Sequence, residues 1–172
     1  MANEQHLELI KKGTEGWNEW RDQNPDEPVD LSGADLRGLK ISKINLKGAN
    51  LKEAKLQFAN LSGAILEGAN MERAKLQEAN LQSAQMANAI VKNCNFMESN
   101  LQNADLENAD LQSSQFNEDV LFADANLKGA NLTDASGLSV PQIQSAKVDA
   151  NTKLPEYLND DMEDEDFLNT MI

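Results

Sequence analysis

Large apolar residues recur at every fifth position through the central part of the chain. The series begins at Leu31 and continues to Phe116 with Leu, Ile, Met, Val or Phe at every step. The position two residues earlier is mostly alanine and never charged, and a mostly polar residue, often Asn or Asp, stands between the two. The repeated unit therefore reads A-(N/D)-L-x-x. This period matches neither an amphipathic helix, at about 3.6 residues, nor a half-buried strand, at about two.

A coil that turns once in each five-residue unit would bring the apolar positions into one interior. Four units make a coil of about 20 residues, and successive coils would stack at the strand spacing of roughly 4.8 Å with hydrogen bonds between their backbones. Residues 20 apart then share a column, such as Leu36, Leu56, Leu76, Phe96 and Phe116. The pattern therefore predicts an all-β solenoid.

The run of these units over residues 29–135 resembles the pentapeptide repeat proteins. The resemblance implies a right-handed quadrilateral β-helix. The segment DANTKLPEYL at 149–158 is similar to the one that often follows the repeats in bacterial, notably cyanobacterial, members of that family. We therefore expect a bacterial, cyanobacterial-like member.

The five-residue phase breaks once, after Phe116. The next apolar frame contains Phe122, so one extra residue lies within Asn117–Asp119. We interpret it as a local bulge at a turn, with the display of a feature to a partner as the alternative.

Both ends of a solenoid expose unpaired backbone and apolar core, so caps are expected there. Leu7, Ile10, Trp17 and Trp20 have spacings compatible with one helical face, and we expect the tryptophans to seal the first coil rather than to bind a partner. Ser139 followed by Pro141 predicts the start of a second capping helix at the far end. Four regions are predicted: 1–28, an N-terminal helical cap and connector; 29–137, the β-helix; 138–158, a C-terminal helical cap; and 159–172, an acidic, disordered tail.

Two groups of apolar residues are candidate contacts for a partner. Phe58 and Met97 fall at outward positions on the same predicted face. The tail combines an acidic run with apolar residues that would share one face of a helix formed on binding. The candidate contacts are Phe58, Met97, Phe167, Leu168, Met171 and Ile172.

Composition excludes several classes of function. The formal net charge is −14, which argues against a nucleic-acid partner because phosphate binding needs cationic residues. One His and one Cys give no credible zinc site, disulfide framework or catalytic dyad. Cys94 stands at an inward, alanine-type position and is interpreted as a small buried residue. No apolar run approaches the roughly 20 residues of a membrane span, and no secretory signal is present. We expect no enzymatic activity, no cofactor, no metal site and a cytoplasmic location.

The leading hypothesis is a non-catalytic protein-binding or scaffold protein, either monomeric or weakly self-associating, that presents rigid β-helix faces and an acidic tail. The family resemblance implies an alternative, a DNA mimic that inhibits a DNA topoisomerase. The acidic residues of 76–137 favour this alternative, whereas the basic residues of 31–75 do not. A third hypothesis, also at family level, is a regulatory protein of one pathway.

Overall fold

The computed structural model of the chain describes residues 2–159. Most of the predicted tail at 159–172, including Phe167, Leu168, Met171 and Ile172, lies outside the described residues.

Residues 30–136 wind into stacked coils whose backbones pair in parallel. Asp30 pairs with Asn50, Asp35 with Lys55, and the same 20-residue offset recurs at every fifth position. Each coil therefore carries four pairings, and a residue in the middle of the stack is paired both to the coil before and to the coil after. Within residues 2–159 the pairings are single-residue bridges rather than longer strands. The predicted solenoid and its column register are confirmed.

The hydrogen bonds of one unit explain why its sequence is A-(N/D)-L-x-x. Asn70 N–H donates to the preceding coil, whereas Met71 and Arg73 N–H donate to the following one, and Ala74 N–H closes the turn on Met71 O. The Asn70 side-chain oxygen accepts the remaining N–H, that of Glu72, at 3.1 Å. Asn and Asp are favoured at this position because their side chains satisfy a backbone donor two residues ahead. All five N–H groups of the unit are thereby bonded.

The interior holds the two apolar positions of every unit. The large residues at the fifth positions and the alanines two residues before them are buried. The rings of Phe96 and Phe116, one coil apart, are stacked with their centroids 5.2 Å apart and their planes 3° from parallel. Alanine predominates at the small position because close packing leaves little room beside the big residue of the same unit, although Leu39 and Ile44 occupy it in the first coil.

The phase break is a one-residue insertion in the fifth coil. The pairing offset changes from 20 at Asn95–Gln115 to 21 at Asn100–Leu121 and keeps that value through Gln115–Ser136. The buried Gln142 reaches this bulge from the C-terminal cap, and its side-chain nitrogen donates to Asn117 O at 2.8 Å and to Val120 O at 2.9 Å. The insertion predicted within Asn117–Asp119 is therefore confirmed, and a buried side chain holds the bulge in place.

Two helices cover the start of the solenoid, α1 at Glu4–Lys11 and α2 at Thr14–Gln23. Trp17 is fully buried, and its ring N–H donates to Asn45 O at 2.7 Å. Asn18 accepts from the N–H of the same Asn45 at 2.8 Å. The helices thus bond to the backbone edge of the first coil, in agreement with the expectation that the tryptophans seal it.

The far end is an incomplete coil that carries two short helices, α3 at Val140–Ser145 and α4 at Glu156–Asn159. Ser139 is the N-cap of α3 and Pro141 lies in its first turn, as predicted. Two further backbone pairings, Asn126–Lys147 and Asn131–Lys153, continue the stack beyond the repeats. The predicted helical cap therefore also contains β-pairing, because the exposed edge of the last full coil needs hydrogen-bond partners.

Candidate interaction surface

The four turns of each coil stack into four columns of turn residues that run along the solenoid. Two of them differ sharply in chemistry. We call residues 57–58, 77–78, 97–98 and 117–119 the acidic turn column, and residues 52–53, 72–73, 92–93 and 112–113 the paired turn column. The two columns occupy successive turns of the same coils.

The structure brings Phe58 and Met97 together on the acidic turn column. Phe58 N–H donates to Gln77 O, and Glu78 N–H donates to Met97 O, each at 3.0 Å. Phe58 and Met97 are therefore two coils apart, a rise of about 10 Å along the axis. Phe58 is 61% exposed and Met97 37% exposed. Both residues lie on one column and reach solvent.

Phe58 occupies a backbone position that does not suit it. Its φ is +62°, at the third residue of a turn closed by Ala59 N–H on Leu56 O. Glycine is favoured in this left-handed region, and Gly38 has it one coil earlier. Within residues 2–159, all other non-glycine residues with positive φ are polar or charged. A large aromatic side chain is therefore held in solvent at a conformational cost.

Four carboxylates stand between and beyond these apolar residues. Glu78 and Glu98 occupy equivalent turn positions one coil apart, and Glu118 and Asp119 lie in the bulge above them. Within residues 2–159, none of the four forms a salt bridge. Arg37, at the same turn of the first coil, has two of its nitrogens on Asp35, at 2.6 and 2.8 Å.

Leu121 is a third exposed apolar residue of this region that sequence analysis missed. It is 47% exposed and follows the bulge by two residues, paired to Asn100. The equivalent outward position in earlier coils carries the polar residues Asn60, Asn80 and Asn100. Leu121 occupies this position because of the inserted residue, which shifts the register by one. The register change, read column by column, was the available signal. Ile90 and Tyr157 are also exposed but lie elsewhere.

The paired turn column contains compensating charges. Lys52 lies 2.9 Å from Glu72, and Arg73 lies 3.7 Å from Glu53. The hydrogen bond from Lys52 lowers the pKa of Glu72 below its usual value. Lys92 lies one coil beyond Glu72 on this column, and its nitrogen forms an ion pair with Asp110 at 2.8 Å. The column is a set of exposed pairs, which each contribute little to stability.

The single cysteine and the single histidine both have structural surroundings. The Cys94 thiol is buried and donates to Met71 O at 3.0 Å, and burial raises its pKa to about 12. The thiol is therefore protonated at neutral pH, and a protonated buried thiol is a poor nucleophile. His6 is buried against Trp20, and its Nδ1 accepts from Asp30 N–H at 3.2 Å. In the part of the chain that the structure describes, no three His, Cys, Asp or Glu side chains are grouped to hold a metal ion.

Across residues 2–159, no helix combines the length and apolar character that crossing a membrane requires.

Similar solved structures come from plants and cyanobacteria. A pentapeptide repeat protein of the Arabidopsis thaliana thylakoid lumen is 26% identical, with a TM-score of 0.60, and the match covers 62% of this chain and 72% of that one. HetL, a pentapeptide repeat protein involved in heterocyst differentiation regulation in the cyanobacterium Nostoc, is 27% identical, with a TM-score of 0.55, over 70% of this chain. The chain spans 63% of the length of HetL. No curated protein matches significantly.

The family model Pentapeptide repeats (8 copies) matches residues 30–68, 54–93 and 79–117. These segments overlap and together cover residues 30–117, just over half of the 172 residues. Sequence, backbone pairing and solved neighbours agree, and the chain belongs to the pentapeptide repeat family.

Proposed function

We propose that this protein is a non-catalytic protein-binding scaffold and that its acidic turn column is the binding surface. One observation carries the proposal: Phe58 and Met97 are exposed on the same column, and Phe58 is kept there in an unfavourable backbone conformation. Residues held at a conformational cost concentrate at functional sites. Exposed aromatic and methionine side chains are enriched at protein interfaces.

The proposal includes the finer shape and the role that the family suggests. Four pairings in each coil support a quadrilateral β-helix as the scaffold, and membership of the family supports its right hand. The similarity to HetL supports a regulatory role exerted through binding, and a cyanobacterial-type source. The scaffold would work in the cytoplasm, as a monomer or a weak self-associate, without a cofactor or metal.

Site-specific photo-crosslinking tests the binding surface in the intact protein. A photoreactive phenylalanine analogue is placed at Phe58, at Met97 or, as the control, at Ser83. Ser83 is an exposed turn residue with a φ of +56° on a different turn column. Each variant is expressed in source cells and irradiated, and the adducts are identified by mass spectrometry.

We expect one protein to be crosslinked from both Phe58 and Met97 and not from Ser83. Equal crosslinking from all three positions, or none from Phe58 and Met97, would overturn the acidic turn column as the binding surface. An assay that detects substrate turnover by the purified chain, abolished by a surface substitution that leaves folding intact, would overturn the non-catalytic assignment.

The topoisomerase-inhibitor alternative makes a different prediction. A DNA mimic must present negative charge over a surface as wide as the duplex, whereas here the column next to the acidic turn column carries lysine and arginine paired with glutamate. If purified protein in excess inhibits gyrase supercoiling, and Glu78→Gln with Glu98→Gln relieves that inhibition, the alternative replaces the scaffold proposal.

A further inference from the structure

The acidic turn column combines two properties that together specify the chemistry of a partner. The apolar residues Phe58 and Met97 on this column, and Leu121 next to it, are large and exposed. The carboxylates of the acidic turn column form no salt bridge within the described range, whereas those of the paired turn column do. Coils in the stack are about 4.8 Å apart, so carboxylates in adjacent coils repel one another. The carboxylates are therefore paired with cations on the paired turn column and unpaired on the acidic turn column.

We propose that the acidic turn column binds a basic amphipathic helix of a partner protein. This inference rests on the proposed function and adds the chemistry of the partner. Apolar side chains of the helix would cover Phe58, Met97 and Leu121. Its lysine and arginine residues would face the carboxylates, because electrostatic complementarity favours association and fixes register. The carboxylates facing the helix are Glu78, Glu98, Glu118 and Asp119.

The spacing of the column suits a helix that lies along the solenoid axis. Phe58 and Met97 are separated by two coil steps, about 10 Å. Two helix residues seven apart are also separated by about 10 Å, at about 1.5 Å per residue, and they lie on the same helix face. Leu121 adds one more step, so the contact extends over about 14 Å, or about ten helix residues.

The surface is preformed in the free protein. The backbone of the column is bonded to the coils on either side at Phe58 and Glu78. At the far end, Gln142 bonds to both flanks of the bulge, and Glu98 N–H donates to the Asn117 side chain at 2.9 Å. A preformed surface loses less conformational entropy on binding than a mobile one.

The test uses the full chain and a fluorescein-labelled amphipathic helical peptide of about 14 residues made of leucine and lysine. A second peptide replaces every lysine with glutamate. Binding is measured by fluorescence anisotropy at low and high salt. Two double variants are compared with the parent chain: Glu78→Gln with Glu98→Gln on the acidic turn column, and Glu53→Gln with Glu72→Gln on the paired turn column. Both remove two negative charges, so general attraction to an acidic protein affects them equally.

We expect the lysine peptide to bind and the glutamate peptide not to bind. The Glu78 and Glu98 variant should weaken binding roughly tenfold and reduce its salt dependence, because rim charges act through screened attraction. The Glu53 and Glu72 variant should bind as the parent does. Phe58→Ala should also weaken binding without removing the salt dependence.

Three results would overturn the inference: no binding of the lysine peptide, equal binding of both peptides, or equal losses in the two double variants. Its failure is distinguishable from failure of the proposed function. Crosslinking from Phe58 and Met97 to one protein, together with no preference for the basic peptide, would leave the binding surface in place and reject a basic helix as its occupant.

Discussion

The acidic and paired turn columns are built by the same five-residue unit and share the same interior, yet their surfaces differ. On the paired turn column, Lys52 meets Glu72 and Arg73 approaches Glu53. On the acidic turn column, Glu78 and Glu98 form no salt bridge within the described residues, and Phe58 faces solvent. Backbone pairing and core packing constrain the inward residues and leave the turn residues free. The charge pattern at the turns is therefore not dictated by the core packing.

The largest loss of stability should follow from substitution of Gln142, which bonds to the bulge at the end of the acidic turn column. Gln142→Ala removes the side-chain donor to Asn117 O and Val120 O. Val120 O is then left without a donor, whereas Asn117 O keeps the hydrogen bond from Val120 N–H at 3.2 Å. We expect the free energy of unfolding to fall by about 2–4 kcal/mol, measured by denaturant titration. Gln144→Ala, at an exposed position of the same helix, is the matched control. Equal destabilisation by both variants would contradict this role of Gln142.

Phe58→Gly should separate stability from binding. Relief of the left-handed backbone conformation should raise the free energy of unfolding by about 0.5–1 kcal/mol, after allowance for the extra unfolded-state entropy of glycine. Glu53→Gly makes the same conformational change on the paired turn column but also loses the contact with Arg73, so its gain should be smaller. Thermal unfolding measures the stability of each variant. Fluorescence anisotropy with the lysine peptide should show a loss of binding only for Phe58→Gly. A loss of stability in Phe58→Gly would mean that its ring supports the fold.

Removing one carboxylate from each column should have small and opposite effects. Glu98→Gln relieves repulsion from Glu78 and should raise the unfolding midpoint by about one degree. Glu72→Gln loses the ion pair with Lys52 and should lower it by a similar amount. Calorimetry at low salt measures both changes, and high salt should reduce them. Shifts of the same sign would remove the distinction between the columns.

The ion pair on the paired turn column should also make the free energy of unfolding depend on pH in the acid range, and this effect should be smaller than those above. Because Lys52 lowers the pKa of Glu72, the ionised pair stabilises the fold above the usual glutamate value of 4.5. That stabilisation is lost as the pH falls through the lowered pKa. The parent chain should therefore lose more stability than Glu72→Gln between pH 4.5 and the acid limit, measured by urea unfolding at each pH. Parallel curves for the two chains would contradict this assignment.

Much of the fold follows from local pattern. The five-residue period predicted the coil length, the inward columns and the single inserted residue, because each five-residue unit repeats the same hydrogen bonds. The C-terminal cap was predicted as helical only, and its pairing at Lys147 and Lys153 was missed. Those residues have no repeat motif, and their pairing follows from the edge that the last full coil leaves open.

The candidate site was harder to predict from the sequence than the fold. Phe58 and Met97 could be placed on one face by counting in twenties, whereas placing the exposed Leu121 also required counting across the inserted residue. Gln142 carried no sequence signal of its contact with Asn117, 25 residues away. Contacts outside the repeat register depend on how the cap folds back on the coil.

By itself, the sequence determined the solenoid, the register of its repeats and its buried residues, since a five-residue apolar period can be buried only by a coil that turns once in each unit. Only the tertiary structure decided which turn residues are neighbours, which charges are paired and which carboxylates remain free. Those relations join residues about 20 apart along the chain, and they depend on stacking distances that side-chain type alone does not encode. The contrast between Glu72, bonded to Lys52, and Glu98, which forms no salt bridge within the described residues, is set in that way.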